Sequence, residues 1–245
     1  MRCENLEDFS PIKNWNVSNS NAFENMFSET KLADLSPMKD WNVSNSTTFS
    51  GMFSSCPNIV NLEPIKNWNV SNSTTFDGMF SSCSNIVNLE PIKNWNVSNS
   101  TTFGGMFRYL EKLVDLEPIK NWNVSNSTSF ERMFEGCRNI SDLNPIKYWD
   151  VSKSKSFRCM FMECEKLVDL SPIQNWNVSN STSFEFMFRR CRNLVDISPL
   201  INWQISDTKD TIRTNAMFDC TNVVDKKILE KWNLPKEKFK ALFYN

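Results

Sequence analysis

The sequence predicts an α/β solenoid of about eight to nine coils of 27 residues, with a parallel β-sheet on one face and short helices on the other. Two observations predict it. Tryptophan recurs at a nearly constant spacing, and the residues between tryptophans also repeat, so that units 41–67 and 68–94 differ at only two positions. Such a repeat is typical of arrays whose units bury their apolar faces against their neighbours. Coils 1 to 8 begin near Trp15, Trp41, Trp68, Trp95, Trp122, Trp149, Trp176 and Trp203.

The elements within a coil follow from the spacing of its apolar residues. In segment 49–56 of coil 2, apolar residues stand at i, i+3, i+4 and i+7, which predicts a short α-helix. In segment 58–64, apolar and polar residues alternate, which predicts a half-buried strand that ends at Pro64. Stacking the coils would pair these strands in parallel.

The two ends of the array differ. The repeat solenoid fills residues 1–225, and residues 226–245 carry apolar side chains at helical spacing, which predicts a helical C-terminal cap over the core. At the other end the chain begins within a unit, so the first coil is predicted to be uncapped. Leu6 and Phe9 would then lie at an edge available for self-association.

The repeated pattern MFxxCxNIVxLxPIxNWNVSNSTxF resembles the BspA-like leucine-rich-repeat surface proteins. The resemblance covers almost the whole chain. It implies a leucine-rich-repeat-like α/β solenoid, and because many members of that family are adhesins or bind proteins, it also implies a binding function.

Composition excludes several classes of partner and location. Hydrophobic residues make up 40% of the chain, but no apolar run approaches the roughly 18 residues of a membrane-spanning helix, so no membrane insertion is expected. The net charge of −1 disfavours nucleic acid. The N-terminus has no apolar secretion signal, which predicts an intracellular protein. A virion or a cell surface is the alternative if the chain is a fragment.

The residues also argue against an enzyme and against a cofactor. The chain has no histidine and no Cys-x-x-Cys pair, and its five glycines form no phosphate loop. Cysteine recurs at a single repeat position, and Thr30 and Leu110 replace it in coils 1 and 4. Because leucine is accepted there, we interpret the column Cys3, Cys56, Cys83, Cys137, Cys164, Cys191 and Cys220 as buried free thiols. Cys159 lies outside it, either as an exposed reactive thiol or as a partly packed one.

Two groups of residues are candidates for binding a partner. The first is an acidic stripe on the predicted strands, and a column of lysines follows it in the sequence. The stripe consists of Asp115, Asp142, Asp169, Asp196, Glu63, Glu90 and Glu117. The stripe either is neutralised by the lysines, or binds a basic partner, or holds a row of calcium ions. The second group departs from the repeat with arginine and aromatic residues, the usual anchors of interfaces: Tyr109, Tyr148, Phe186, Arg189 and Arg190.

These observations favour a non-enzymatic protein-binding or scaffold module that presents a repeat surface. The alternatives are a structural building block of a larger assembly, such as a minor virion component, and a cell-surface adhesin. The tryptophan column offers two interpretations, a core ladder and a stacking platform for sugars or bases, of which packing is the simpler.

Overall fold

The computed structural model describes residues 8–205 and 212–243, which form a succession of stacked coils as the repeat predicts. Each coil contains a short 3₁₀ helix, an extended segment with the tryptophan, a one-residue β-bridge and a run of turns. The 3₁₀ helices are Ser10–Asn14, Ser36–Met38, Glu63–Ile65, Glu90–Ile92, Glu117–Ile119, Asn144–Ile146, Ser171–Ile173, Ser198–Asn202 and Lys227–Trp232, and the one α-helix of the described ranges, α1, is Lys236–Ala241.

The helix predicted over segment 49–56 is wrong. Gly51 and Ser55 have φ values of 63° and 58°, which an α-helix does not contain. Successive backbone amides of the segment alternate between two kinds of acceptor. Met52 N–H bonds within the coil to Phe49 C=O at 3.1 Å, whereas Gly51 N–H bonds to Asp77 C=O of the next coil at 2.7 Å. This run of turns satisfies the backbone without a helix while still burying its apolar face.

The predicted strand over segment 58–64 is also wrong. In the described residues, parallel pairing consists of single-residue bridges one position before the first phenylalanine of each turn run, for example Thr48 to Thr75. Residues 63–65 form a 3₁₀ helix instead. Proline favours this outcome because it fixes φ and has no N–H to lose in a first turn, and Asn61 Oδ1 accepts the Glu63 N–H at 2.8 Å.

The core consists of columns of identical side chains. Two phenylalanine columns and the tryptophan column are buried through the interior of the array. Phenylalanine rings from Phe49 to Phe184 stack at 5.8–6.0 Å between centroids. Each ring buried in this way contributes roughly 1.5–3 kcal/mol. The interpretation of the tryptophans as core residues is confirmed, apart from the half-exposed Trp15.

Polar groups in the core bond to carbonyl groups about one repeat earlier in the chain. Trp95 Nε1 donates to Ile65 C=O at 3.3 Å, and Ser73 Oγ donates to Ser46 C=O at 3.0 Å. Both bonds recur along the array, so every coil fixes the register of its neighbour as well as burying apolar area.

The cysteine column consists of buried free thiols, as interpreted, from Cys56 to Cys191. Cys83 Sγ donates to Phe53 C=O at 3.0 Å, and burial raises the pKa of the Cys83 and Cys137 thiols to about 12. The assignment of Cys220 to this column is wrong. That side chain is exposed and occupies the turn position just before the column. Cys3 lies outside the described residues.

The C-terminal segment packs on coils 7 and 8. Trp232 Nε1 donates to Leu200 C=O at 3.1 Å, so Lys227–Trp232 continues the bonding of the tryptophan column. The carbonyl groups at the end of α1 and just beyond it accept hydrogen bonds from backbone amides in the turns of coil 8. Ala216 N–H bonds to Ala241 C=O at 2.7 Å, and Phe218 N–H bonds to Leu242 C=O at 2.8 Å. Helix carbonyls without an internal partner thus meet coil amides that would otherwise lack one.

At the N-terminal end, Phe9 is the predicted edge residue that falls within the described residues. Phe9 is 6% exposed and packs edge-on against Phe27 with centroids 5.8 Å apart. Leu6 lies outside the described residues. In the first coil, Trp15 and Met26 are exposed apolar side chains, and Trp15, which is 50% accessible, stacks on Trp41 at 6.2 Å. No helix in the described ranges is long and apolar enough to cross a membrane.

Candidate functional site

The turn runs form one surface of the solenoid, which we call the turn face: segments 23–29, 49–55, 76–82, 103–109, 130–136, 157–163, 184–190 and 214–220. Two positions in each run, the third and the seventh, have positive φ. Coils 2 to 4 place glycine at the third position. Coils 5 to 7 place Arg132, Cys159 and Phe186 there, with φ values of 60°, 56° and 59°. The third turn position is therefore glycine in coils 2 to 4 and a residue with a side chain in coils 5 to 7.

In coils 4 and 5 the large side chains surround a buried carboxylate. Glu135 is 2% exposed. Its carboxylate accepts from Arg108 and Arg132, each at 2.9 Å, and from the Tyr109 hydroxyl at 3.1 Å. The Arg108 guanidinium also lies 4.6 Å from the centre of the Tyr109 ring. Tyr109 is thereby held in place by contacts on both its hydroxyl and its ring.

Towards coil 7 a second set of contacts centres on Phe186. The guanidinium groups of Arg189 and Arg158 lie 5.3 and 5.8 Å from its ring centre. Arg158 pairs with Glu131 at 2.8 Å, and Arg189 pairs with Asp219 at 2.7 Å. These contacts fix an aromatic ring between two arginines on the surface.

Arg190 completes this end of the turn face. Its guanidinium donates a hydrogen bond to Glu163 at 2.7 Å. This hydrogen bond is the larger cause, and the charge of Glu163 the second, of a raised pKa of Arg190. The structure thus brings together four of the predicted binding residues on one face: Tyr109, Phe186, Arg189 and Arg190.

Cys159 lies beneath this surface. It is 2% exposed, and burial raises the pKa of its thiol in spite of the nearby Arg132 and Arg158. The exposed, reactive alternative for Cys159 is therefore wrong.

A shallow polar groove of about 470 Å³ also runs along the turn face from Asn25 to Arg132. Glycine, serine and threonine residues line most of it, together with Asp77, Arg108 and Glu131. Thr102 Oγ1 donates to Asp77 Oδ1 at 2.7 Å, so this carboxylate already has an internal partner. Sequence analysis missed the groove because it assigned these glycines to a helix.

The acidic stripe lies on another surface, beside the 3₁₀ helices, which we call the 3₁₀ face. The first column caps the turns: Asp115 Oδ1 accepts the Glu117 N–H at 2.7 Å, and the equivalent bond recurs for Asp142, Asp169 and Asp196. The second column forms ion pairs three residues apart, which are Glu63–Lys66, Glu90–Lys93 and Glu117–Lys120. This geometry supports the neutralised interpretation. Within the described ranges, no three residues that could ligate a metal converge.

Tyr148 lies apart from the turn face. It is 85% exposed, and Lys147 Nζ is 4.7 Å from its ring centre. A groove of about 600 Å³ runs beside it between the 3₁₀ helices of coils 5 and 6.

Comparison with known proteins assigns the family. Three overlapping segments, residues 2–115, 33–144 and 142–245, match the family described as "Mycoplasma protein of unknown function, DUF285". The chain belongs to the DUF285 family. The overlap of the DUF285 matches confirms the predicted tandem repeat. No curated protein sequence matches the chain.

Among solved structures, a similar chain is internalin C2 of Listeria monocytogenes. It is 18% identical, with a TM-score of 0.46, and the similarity covers 78% of this DUF285 chain and 70% of the internalin chain.

Proposed function

We propose that this protein is a non-enzymatic protein-binding module and that its contact surface is the turn face of coils 4 to 8. The repeat architecture supports a binding role because stacked coils present a long, regular surface. The resemblance of the repeat to BspA-like surface proteins supports the same role independently.

One observation carries the choice of surface. At the third turn position, coils 2 to 4 show that glycine suffices, yet coils 5 and 7 keep Arg132 and Phe186 there in a left-handed conformation. That conformation costs roughly 1–2 kcal/mol for a residue with a Cβ, and its retention points to a function other than stability.

The chemistry of the surface suits a protein partner. Arginine and aromatic side chains are the commonest anchors of protein interfaces. Here Phe186 is held between two arginines and Tyr109 is fixed by Glu135, so these side chains lose little freedom when a partner binds.

Photo-crosslinking in the protein's own cells tests this proposal. We would place benzoylphenylalanine at position 186 and, as a matched control, at the equivalent position 78 of the turn face in coil 3. We expect a discrete cross-linked protein from position 186 and none from position 78. Equal products at the two positions, or none at position 186, would overturn the proposal.

The partner found in this way allows a second test. Phe186→Gly and Arg190→Ser restore residues that coil 3 carries as Gly78 and Ser82. Together they should weaken binding at least 10-fold, as loss of interface anchors does, without lowering the melting temperature.

A second candidate function is assembly through the first coil. It is favoured by the half-exposed Trp15, which stacks on Trp41 through one face of its ring. Light scattering separates the two functions. A concentration-dependent increase in molar mass that Trp15→Ser abolishes would favour assembly, whereas a monomer in both chains would leave protein binding through the turn face.

A further inference from the structure

We propose that the groove beside Tyr148, on the 3₁₀ face of coils 5 to 7, binds a neutral oligosaccharide. This site is separate from the turn face and adds a small-molecule ligand class to the proposed protein binding.

The groove crosses more than one coil. Its larger part, about 600 Å³, is lined by residues from Asn144 to Val151 and from Asp169 to Asn177. A second hollow of about 240 Å³ continues it towards coil 7 and shares the four residues 174–177. A continuous channel along the array fits an extended chain of similar units better than a single compact molecule.

The groove lies where the repeat departs from its own pattern. In coils 2 to 4 this surface is occupied by glutamate–lysine pairs such as Glu90–Lys93. In coil 5 the glutamate is replaced by Asn144, and in coil 6 the pair becomes Ser171 and Gln174. Among the described residues, Lys147 contacts the Tyr148 ring rather than a carboxylate. The ion pairs that neutralise this face elsewhere are therefore absent along the groove.

Tyr148 supplies the platform that a sugar requires. The equivalent position holds asparagine in coils 2, 3, 4, 6 and 7, whereas Tyr148 presents an 85% exposed ring at the rim of the groove. An aromatic face can pack against the C–H face of a pyranose, while its hydroxyl remains a hydrogen-bonding group. The buried indoles of Trp149 and Trp176 leave this role to Tyr148.

The remaining lining matches sugar hydroxyls. Asn144 donates to Asp142, and Asn177 Oδ1 accepts from Ser179, which leaves Asn144 Oδ1, Asn177 Nδ2 and the Gln174 amide to face sugar hydroxyls. Asp150 and Asp169 add acceptors beyond the serine N–H bonds that they already receive. Hydrogen bonds from Ser152, first from its side chain and then from its backbone, lower the pKa of Asp150, which is ionised at neutral pH. Two carboxylates would repel an anionic sugar, and for that reason the ligand is assigned as neutral.

A protein partner fits this groove less well. The centre of a protein interface is depleted of charge and carries several apolar anchors. Apart from Tyr148 and the half-buried Pro172, the lining here consists of polar and charged side chains and the edges of buried ones.

A glycan array probed with the labelled intact chain tests the proposal. The test variant is Tyr148→Asn, which installs the residue of the neighbouring coils and so preserves the fold. The control is Val87→Ser, a change at an exposed position where coil 5 carries Ser141. We expect the wild type and the control to bind a group of neutral glycans, and Tyr148→Asn to bind them at least 10-fold more weakly in a calorimetric titration of the best one.

Three outcomes would overturn the proposal: binding to no glycan, binding only to sialylated or sulfated glycans, or unchanged binding by Tyr148→Asn with its circular dichroism intact. Because the turn-face variants leave this groove unchanged, failure here is distinguishable from failure of the proposed protein binding.

Discussion

At the scale of the residue, the left-handed turn positions determine both local stability and surface chemistry. Gly78 has a φ of +62°, and a Cβ added there would meet its nearest atom, Ser81 Cβ, at 3.9 Å. The position therefore has space for alanine but an unfavourable backbone conformation. Ser82 has a φ of 61° and stands where coil 5 carries Gly136.

These two residues give a matched pair of predictions. Gly78→Ala should lower the free energy of unfolding by roughly 1–2 kcal/mol, and Ser82→Gly should raise it by about 0.5–1 kcal/mol, since glycine has no Cβ to be strained. Urea titrations measure both. If the two changes shift stability in the same direction, the left-handed backbone is not the cause.

Glu135 tests the buried ion-pair network. Glu135→Ala removes the carboxylate that Arg108, Arg132 and Tyr109 share, so it should destabilise the protein by about 3 kcal/mol. The control Glu63→Ala removes one partner of an exposed pair and should cost less than about 1 kcal/mol. Similar losses in thermal or urea unfolding would contradict the difference that we assign to burial.

At the scale of the element, the sequence correctly predicted which faces are buried but not how the backbone folds. Phe49, Met52, Phe53 and Cys56 are buried together as their helical spacing suggested. A run of alternating right- and left-handed turns gives the same spacing, and the bond from Gly51 N–H to the next coil makes it the better solution. Whether the segment forms a helix or this run of turns depends on hydrogen bonds to the neighbouring coil, and the spacing of residues within one segment does not show those bonds.

The candidate surfaces were predictable to a similar degree. Departures from the repeat located Tyr109, Phe186, Arg189 and Arg190, which the structure brings to one face. The acidic stripe appeared as a binding surface because sequence spacing did not show that Asp115 caps a 3₁₀ helix or that Glu63 pairs with Lys66. Both contacts run between residues two or three apart, within a turn that had been predicted as a strand.

The cysteine column predicts a loss of stability at high pH. The folded pKa of Cys83 and Cys137 is about 12, above that of a thiol in an unfolded chain, near 9. A raised folded pKa means that the stabilisation is complete below pH 9 and is lost as the pH rises towards 12. Each thiol should therefore reduce the free energy of unfolding by about 1.4 kcal/mol per pH unit in this range.

Urea titrations at pH 8 and pH 10 measure this loss. The double variant Cys83→Ala/Cys137→Ala should show a smaller difference between the two pH values than the wild type, whatever its stability at pH 8. An equal difference in both proteins would place the pH dependence elsewhere in the chain.

At the scale of the whole molecule, stability is distributed among interfaces between neighbouring coils. Successive 3₁₀ helices contact one another along the whole array. Stability is then approximately a sum of coil and interface contributions. Coils 2 and 3, residues 41–67 and 68–94, are nearly identical and so present the same surfaces to their neighbours.

Removal of residues 68–94 should therefore leave a folded protein. Its denaturant m-value should fall by roughly a tenth, because the m-value is proportional to the surface that unfolding exposes and about a tenth of the chain is removed. Deletion of residues 68–81 serves as the control because it joins unlike parts of two coils and should abolish cooperative unfolding. If both deletions unfold the protein, the coils are not interchangeable units.

The series of coil interfaces also has a mechanical consequence. A force applied to the two chain ends would pass through each interface in turn, and the Trp95 Nε1 to Ile65 C=O bond and its equivalents would break when neighbouring coils separate. Each detached coil would release 27 residues, about 90 Å of extended chain. Under tension the molecule would lengthen stepwise, coil by coil, and act as an extensible tether between whatever its ends are joined to.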